Sequence, residues 1–226
     1  MSKNSTTILL LKIFRKFLKA YGPRKWWPAK TRFEMMAGAL LTQNVSWSNA
    51  KKAIDNLKKA GLLSPEAILA APHELIADKI RSSRFYNQKT KNLKALSGFI
   101  MNECEGSLDK MFDGPIEDLR KRFLKIKGVG RESADCILLY AGKKLSFVSD
   151  AYTRRFLLRY GILEGQPEYE QIRAFFMAHL PQDLYLYNEY HALIDYHGAR
   201  VCQAKPECQH CPVRNLDKTT RCQYTA

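Results

Sequence analysis

Four of the six cysteines in this 226-residue chain crowd its C-terminus, as Cys202-x5-Cys208-x2-Cys211-x10-Cys222, while Cys104 and Cys136 stand alone. Four thiolates fit either a tetrahedral zinc ion or a 4Fe-4S cluster, and spacing alone favours neither. With no export signal in the sequence, a metal site is the better reading than a disulfide framework. His197 and His210 lie close by, but four cysteines already complete a ligand set.

A second constellation is Lys125-Ile126-Lys127-Gly128-Val129-Gly130-Arg131-Glu132-Ser133-Ala134. Two glycines flank a valine between the end of one helical run and the start of the next. Glycine lets the backbone turn sharply and approach a ligand. The helix start that follows offers unpaired N–H groups and a positive dipole end, which suit a phosphate. Val129 is expected to plug the turn into the core. A loop of this kind holds a nucleic-acid backbone without reading its sequence, with Lys125, Lys127 and Arg131 as further phosphate contacts. Eighteen residues beyond Glu132 comes Asp150, just before the helical run from Tyr152 to Tyr160. An aspartate there is a favoured N-cap. It is also a carboxylate able to steady a developing cation or orient a water.

All three tryptophans, Trp26, Trp27 and Trp47, lie in the first quarter of the chain. Flat apolar walls of this kind suit a base flipped out of a duplex. The same quarter is the most basic: residues 1–60 carry thirteen basic and two acidic side chains, within a net charge of +15. Such a face suits a polyanion, because each neutralised phosphate releases counterions.

The elements that must position these residues read as helices throughout. Apolar residues recur at helical spacing over 7–20, 31–41 and 47–60. Ser64-Pro65 is a helix start. Further runs cover 72–81, 88–103, 115–125, 131–141, 151–160, 167–179 and 182–198. The stretch Leu145–Val148 is too brief to build a sheet. No apolar run approaches the roughly 18–20 residues of a membrane span. A soluble, cytoplasmic, monomeric all-α protein is expected, associated with the nucleoid if the source is bacterial or archaeal.

Together, the Gly128-Val129-Gly130 hairpin, Asp150 and the cysteine cluster after Tyr196-His197-Gly198 resemble the endonuclease III superfamily of DNA glycosylases, from about residue 30 onward. The resemblance implies a two-lobed helical fold with a helix-hairpin-helix and a C-terminal 4Fe-4S loop. Residues 30–141 would form the six-helix-type lobe carrying the hairpin, and 1–29 with 142–226 the other. It implies Asp150 as the catalytic carboxylate and damaged double-stranded DNA as the partner. Bifunctional members carry a lysine where this chain has Glu132, and a carboxylate cannot form an imine. The expectation is therefore a monofunctional enzyme.

Within the superfamily, Trp26-Trp27-Pro28, Leu41-Thr42-Gln43-Asn44, Phe85-Tyr86-Asn87-Gln88-Lys89 and the Glu132 segment are most similar to the 3-methyladenine DNA glycosylase III branch. That similarity implies a base sandwiched by Trp26 and Trp47, a pocket shaped by Trp27 and Pro28, and Gln43 or Asn44 as the wedge filling the gap in the duplex. It favours alkylated bases; uracil, mismatched thymine or oxidised pyrimidines, with lyase activity, are the alternative. The wider resemblance to the endonuclease III superfamily favours 4Fe-4S over zinc at Cys202, Cys208, Cys211 and Cys222, a cluster that the 3-methyladenine branch can dispense with. The loop with Lys205, Arg214, Lys218 and Arg221 would then meet phosphates.

Overall fold

Helices form where the apolar period and the capping residues agree. The structure, a computed structural model, describes residues 3–216 and 222–224. Among the described residues it holds twelve α-helices and no strand. No helix among them is long and apolar enough to cross a membrane. The chain divides into two compact units, residues 27–144 and residues 1–26 with 145–226.

The first helix, α1 (Lys3–Tyr21), belongs to the second of these units. The 27–144 unit holds α2 (Arg32–Leu41), α3 (Trp47–Lys59), α4 (Pro65–Ala70), α5 (His73–Lys79), α6 (Tyr86–Gly98), α7 (Leu108–Met111), α8 (Ile116–Leu124) and α9 (Arg131–Cys136). Its core helix is α2, buried from Phe33 to Leu41. A helix apolar on all sides is one surrounded by others. It starts where the Thr31 side chain accepts the Glu34 N–H at 3.0 Å. Glu34 is buried too, but its carboxylate accepts from the Lys30 N–H at 3.1 Å and the Lys58 ammonium at 2.7 Å. The Ser64 hydroxyl caps α4 by accepting the Ala67 N–H at 3.2 Å.

Helices α6 and α9 each continue as one π-helical turn, Phe99–Glu103 and Ile137–Ala141. Each extra residue re-aims the side chains beyond it. Helix α7 is not anticipated by the apolar period, because four residues make barely one turn.

The other unit combines α1 with α10 (Ala151–Arg159), α11 (Tyr169–His179) and α12 (Leu184–Arg200). The apolar stripe of α1, including Leu10, Ile13, Phe14 and Phe17, packs on α11 and α12. Phe147 and Phe176 stack at 3.9 Å in its core. Leu145–Val148 runs into it as an irregular segment.

Candidate active site

The hairpin between α8 and α9 is built from inward apolar and outward basic residues. Ile126 and Val129 are buried, so Val129 does plug the turn; Lys125, Lys127, Gly130, Arg131 and Glu132 are exposed. Gly128 has φ +88, and a Cβ there would lie 2.0 Å from Asn92 Cγ. Backbone conformation and the close approach of Asn92 both require glycine. Gln88 steadies Asn92 by donating to its carbonyl oxygen at 2.8 Å. Behind the turn, Arg120 grips Asp135 through two parallel bonds of 2.9 and 3.0 Å, both side chains buried.

Gln43 reaches the same hairpin. Its amide donates to Gly128 O at 2.9 Å and to Ser133 Oγ at 2.8 Å. Asn44, next to it, is exposed and has φ +56. Of the two wedge candidates, Gln43 is engaged with the hairpin and Asn44 faces outward.

Sequence reasoning assigned no role within the segment 85–89, and the structure singles out Phe85 and Lys89. Phe85 is 64% exposed and sits on a left-handed turn, with φ +43 after Arg84 at φ +56 and ψ 166. Nothing in residue type announces that turn. Lys89 is buried, its ammonium bonded to the carbonyls of Leu41, Gln43 and Ser83. Here a signal exists: Lys89 shares the helical phase of the buried Leu93, Leu96 and Ile100.

The aromatic cluster of this unit centres on Trp27. Its ring meets Trp47 edge-on at 5.4 Å and 89°, and Tyr140 at 5.7 Å and 60°. The indole closes over Gly38, where a Cβ would come within 3.0 Å of its nitrogen. Trp27 and Trp47 are half-buried and Pro28 is exposed. Sequence reasoning paired Trp26 with Trp47; within this unit Trp27 also meets Trp47. Tyr140 went unnoticed because the π turn at the end of α9 sets where it points.

In the other unit, Asp150 is the N-cap of α10 and is buried. Its Oδ1 accepts the Thr153 N–H at 2.7 Å, and its Oδ2 lies 3.7 Å from His191 Nε2. Burial pushes the carboxyl up, but the bond and charge of His191 and the Thr153 amide outweigh it and leave Asp150 below the ordinary carboxylate value. One turn beyond His191, Asp195 is pushed up to about 6, by burial first and then by the charge of Asp150. Burial and the charges of Asp195 and Asp150 also raise the Tyr152 hydroxyl. On the same helix, the buried Glu189 accepts the N–H groups of Arg24 and Lys25 at 2.6 and 2.8 Å, anchoring the segment that leads into Trp26.

Cys202, Cys208, Cys211 and Cys222 line one cavity, with Phe156, Arg159 and His197 among its walls. Arg159 donates to Cys202 Sγ at 3.3 Å. His197 Nε2 lies 3.8 Å from Cys211 Sγ, and its Nδ1 is 2.8 Å from Tyr21 Oη. Burial and the Arg155 charge lower His197 to about 4, so its ring is neutral. Burial pushes the Cys211 thiol up to about 11. Among the described residues no three metal-ligating side chains gather tightly enough to hold a single ion. Lys205 and Arg214 are exposed; Lys218 and Arg221 lie outside the described residues.

A helical chain whose glycine hairpin shows a basic face, and whose buried aspartate caps a helix, is a DNA glycosylase of the helix-hairpin-helix kind. It belongs to the HhH-GPD superfamily of base excision DNA repair proteins, which it matches over residues 37–182. Its relatives include MJ1434 of Methanocaldococcus jannaschii, classed as a DNA repair glycosylase, at 43% identity over 92% of this chain and 95% of that protein. Endonuclease III of Sulfolobus acidocaldarius is 30% identical over 84% and 83% of the two chains. The H. pylori 3-methyladenine DNA glycosylase MagIII, solved with 1,N6-ethenoadenine, superposes with a TM-score of 0.73 at 30% identity, covering 85% of this chain and 96% of that one. An endonuclease III–DNA complex shares the fold, with a TM-score of 0.79, 20% identity and 96% coverage of both chains.

Proposed function

We propose that this glycosylase is monofunctional and hydrolyses the N-glycosidic bond of alkylated bases of the 3-methyladenine type, with Asp150 as its catalytic carboxylate. The observation that carries the reading is the state of Asp150, buried yet held ionised by His191 and Thr153. As the base departs with the bonding electrons, positive charge grows on the sugar. A fixed carboxylate in a water-poor place steadies that charge more than a solvated one. Water then bonds to C1′ and loses its proton, leaving an abasic site. Glu132, exposed on the first turn of α9, has no amine to replace water as the nucleophile.

The choice of base rests on the aromatic residues and on the 30% identity to MagIII. A base methylated on a ring nitrogen carries positive charge, and an indole face attracts it by roughly 0.5–2 kcal/mol. In this reading Trp26, Trp27, Pro28 and Trp47 form the pocket. Lys125, Lys127 and Arg131 meet phosphates, and the loop with Gln43 and Asn44, together with Phe85, enters the gap left by the flipped base.

We infer also that the four cysteines hold a 4Fe-4S cluster. Thiols spread around a cavity suit a cluster of several irons better than one ion, and Arg159 offsets part of the negative charge they would gather. Such a group would supply a rigid clamp for the C-terminal loop. Iron and acid-labile sulfide near four per chain would support it, and zinc at one per chain would replace it.

The deciding experiment offers duplexes carrying 3-methyladenine, 7-methylguanine, uracil, thymine opposite guanine, or an oxidised pyrimidine, each split with and without alkali. Breakage only after alkali, on alkylated bases, is the expected result. The identity to the Sulfolobus endonuclease III favours a second reading, in which uracil, mismatched thymine or oxidised pyrimidines are the substrates. Breakage without alkali on oxidised pyrimidines would establish it and remove the argument from Glu132.

A further inference from the structure

Lys89 is a charged side chain in the core of the 27–144 unit, and only 3% of it is exposed. Its ammonium has three protons, and three backbone carbonyls accept them: Leu41 O at 2.8 Å, Gln43 O at 2.9 Å and Ser83 O at 2.6 Å. The donor set is therefore saturated by groups that can only accept. Leu41 ends α2, so the cation also sits at the negative end of a helix. Ser83 ends the short turn before α6. One side chain thus joins two loops that are about forty residues apart in sequence.

Both loops hold residues in backbone conformations that side chains disfavour. Asn44 follows Gln43 at φ +56, and Arg84 and Phe85 follow Ser83 at φ +56 and +43. Non-glycine residues persist there only when their surroundings dictate it. Here the carbonyl just before each strained stretch is fastened to the same nitrogen. Asn44 and Phe85 are exposed, as are their loop neighbours Ser46 and Arg84.

We infer that Lys89 is a positioning residue, whose buried ammonium fixes the loop at 42–46 and the turn at 83–86 at one separation so that both enter a damaged duplex together. The inference rests on the reading above in which these loops fill the gap left by the flipped base. Burial lowers this amine to about 8, which leaves it protonated near neutral pH. The three acceptors hold it in place. No neutral side chain of similar length offers three donors from one atom.

The test uses a duplex with a tetrahydrofuran abasic-site analogue, so it does not depend on which base the enzyme releases. 2-Aminopurine opposite the analogue reports the filling of the gap by its fluorescence. Lys89→Met is expected to lose about tenfold of the preference for this duplex over an undamaged one, with a smaller fluorescence change and unaltered affinity for undamaged DNA. Lys89→Arg keeps a buried cation and serves if the methionine variant does not fold; it should retain part of the preference. Equal losses on both duplexes would make Lys89 a purely structural residue and overturn the inference. Phe85→Ala separates the two readings. If it keeps the full preference, the loops do not fill the gap. If it loses the preference while Lys89→Met keeps it, only the role of Lys89 fails.

Discussion

Asp150 is charged in a place that water scarcely reaches, and its neighbours share the consequences. Asp150→Asn keeps the Thr153 cap but loses the negative charge, so base release is expected to fall at least a hundredfold while DNA binding is retained; single-turnover assays and a binding titration measure the two. Asp195 bears the converse strain. Its folded pKa of about 6 stands above its ordinary value of 3.8, so the folded chain binds the extra proton between these values. The sign follows: stability falls as pH rises from about 4 to 6 and stays lower above that. Asp195→Asn should therefore raise the unfolding free energy at pH 7 by an amount of order 1–3 kcal/mol, read by urea unfolding, and leave it unchanged near pH 4. The gain should shrink in an Asp150→Asn background, because the charge of Asp150 is part of the cause. At Glu132, borohydride is expected to trap no adduct between the chain and a substrate duplex; a trapped adduct would show that some amine acts as nucleophile.

At the scale of elements, the hairpin depends on what lies behind it. Arg120 and Asp135 tie α8 to α9 through a buried bidentate pair. Arg120→Met removes the bidentate partner of a buried carboxylate and should cost about 3–5 kcal/mol in urea unfolding, with Asp135→Asn in the same variant recovering part of it. The sequence made most helices legible, because α1, α2 and α3 repeat apolar residues with the helical period. The Gly-Val-Gly turn was legible for the same kind of reason: Gly128 occupies a conformation and a space that only glycine fits. The rest was less so. Where α6 begins depends on Phe85 holding a left-handed turn, which no propensity foretells. The packing of Trp27 against Trp47 and Tyr140 comes from tertiary contacts and a π turn, neither written in local composition. Lys89 was visible as a lysine in an apolar phase, but its three acceptors are carbonyls, which any sequence would supply.

For the whole molecule, the net charge of +15 sets how binding responds to salt. Affinity for any duplex should fall steeply as salt rises, each neutralised phosphate contributing about 0.9 to the logarithmic slope. Replacing Lys125, Lys127 and Arg131 together with alanine is expected to lower that slope by up to about 3, alike on damaged and undamaged DNA. A change confined to damaged DNA would assign these residues to lesion recognition instead of phosphate contact.

Helix α12 carries Glu189, His191, Asp195 and His197 on one rod, and together they serve three neighbours: Glu189 the segment before Trp26, His191 and Asp195 the carboxylate of Asp150, and His197 the cysteine cavity. A helix turns about 100° per residue, so one residue inserted or deleted between 191 and 197 would swing one end out of phase with the other. The rod would remain helical and could even stay packed, yet it could no longer serve both Asp150 and the cysteines. Descendants of this chain can exchange residues along α12, but they cannot change its length there.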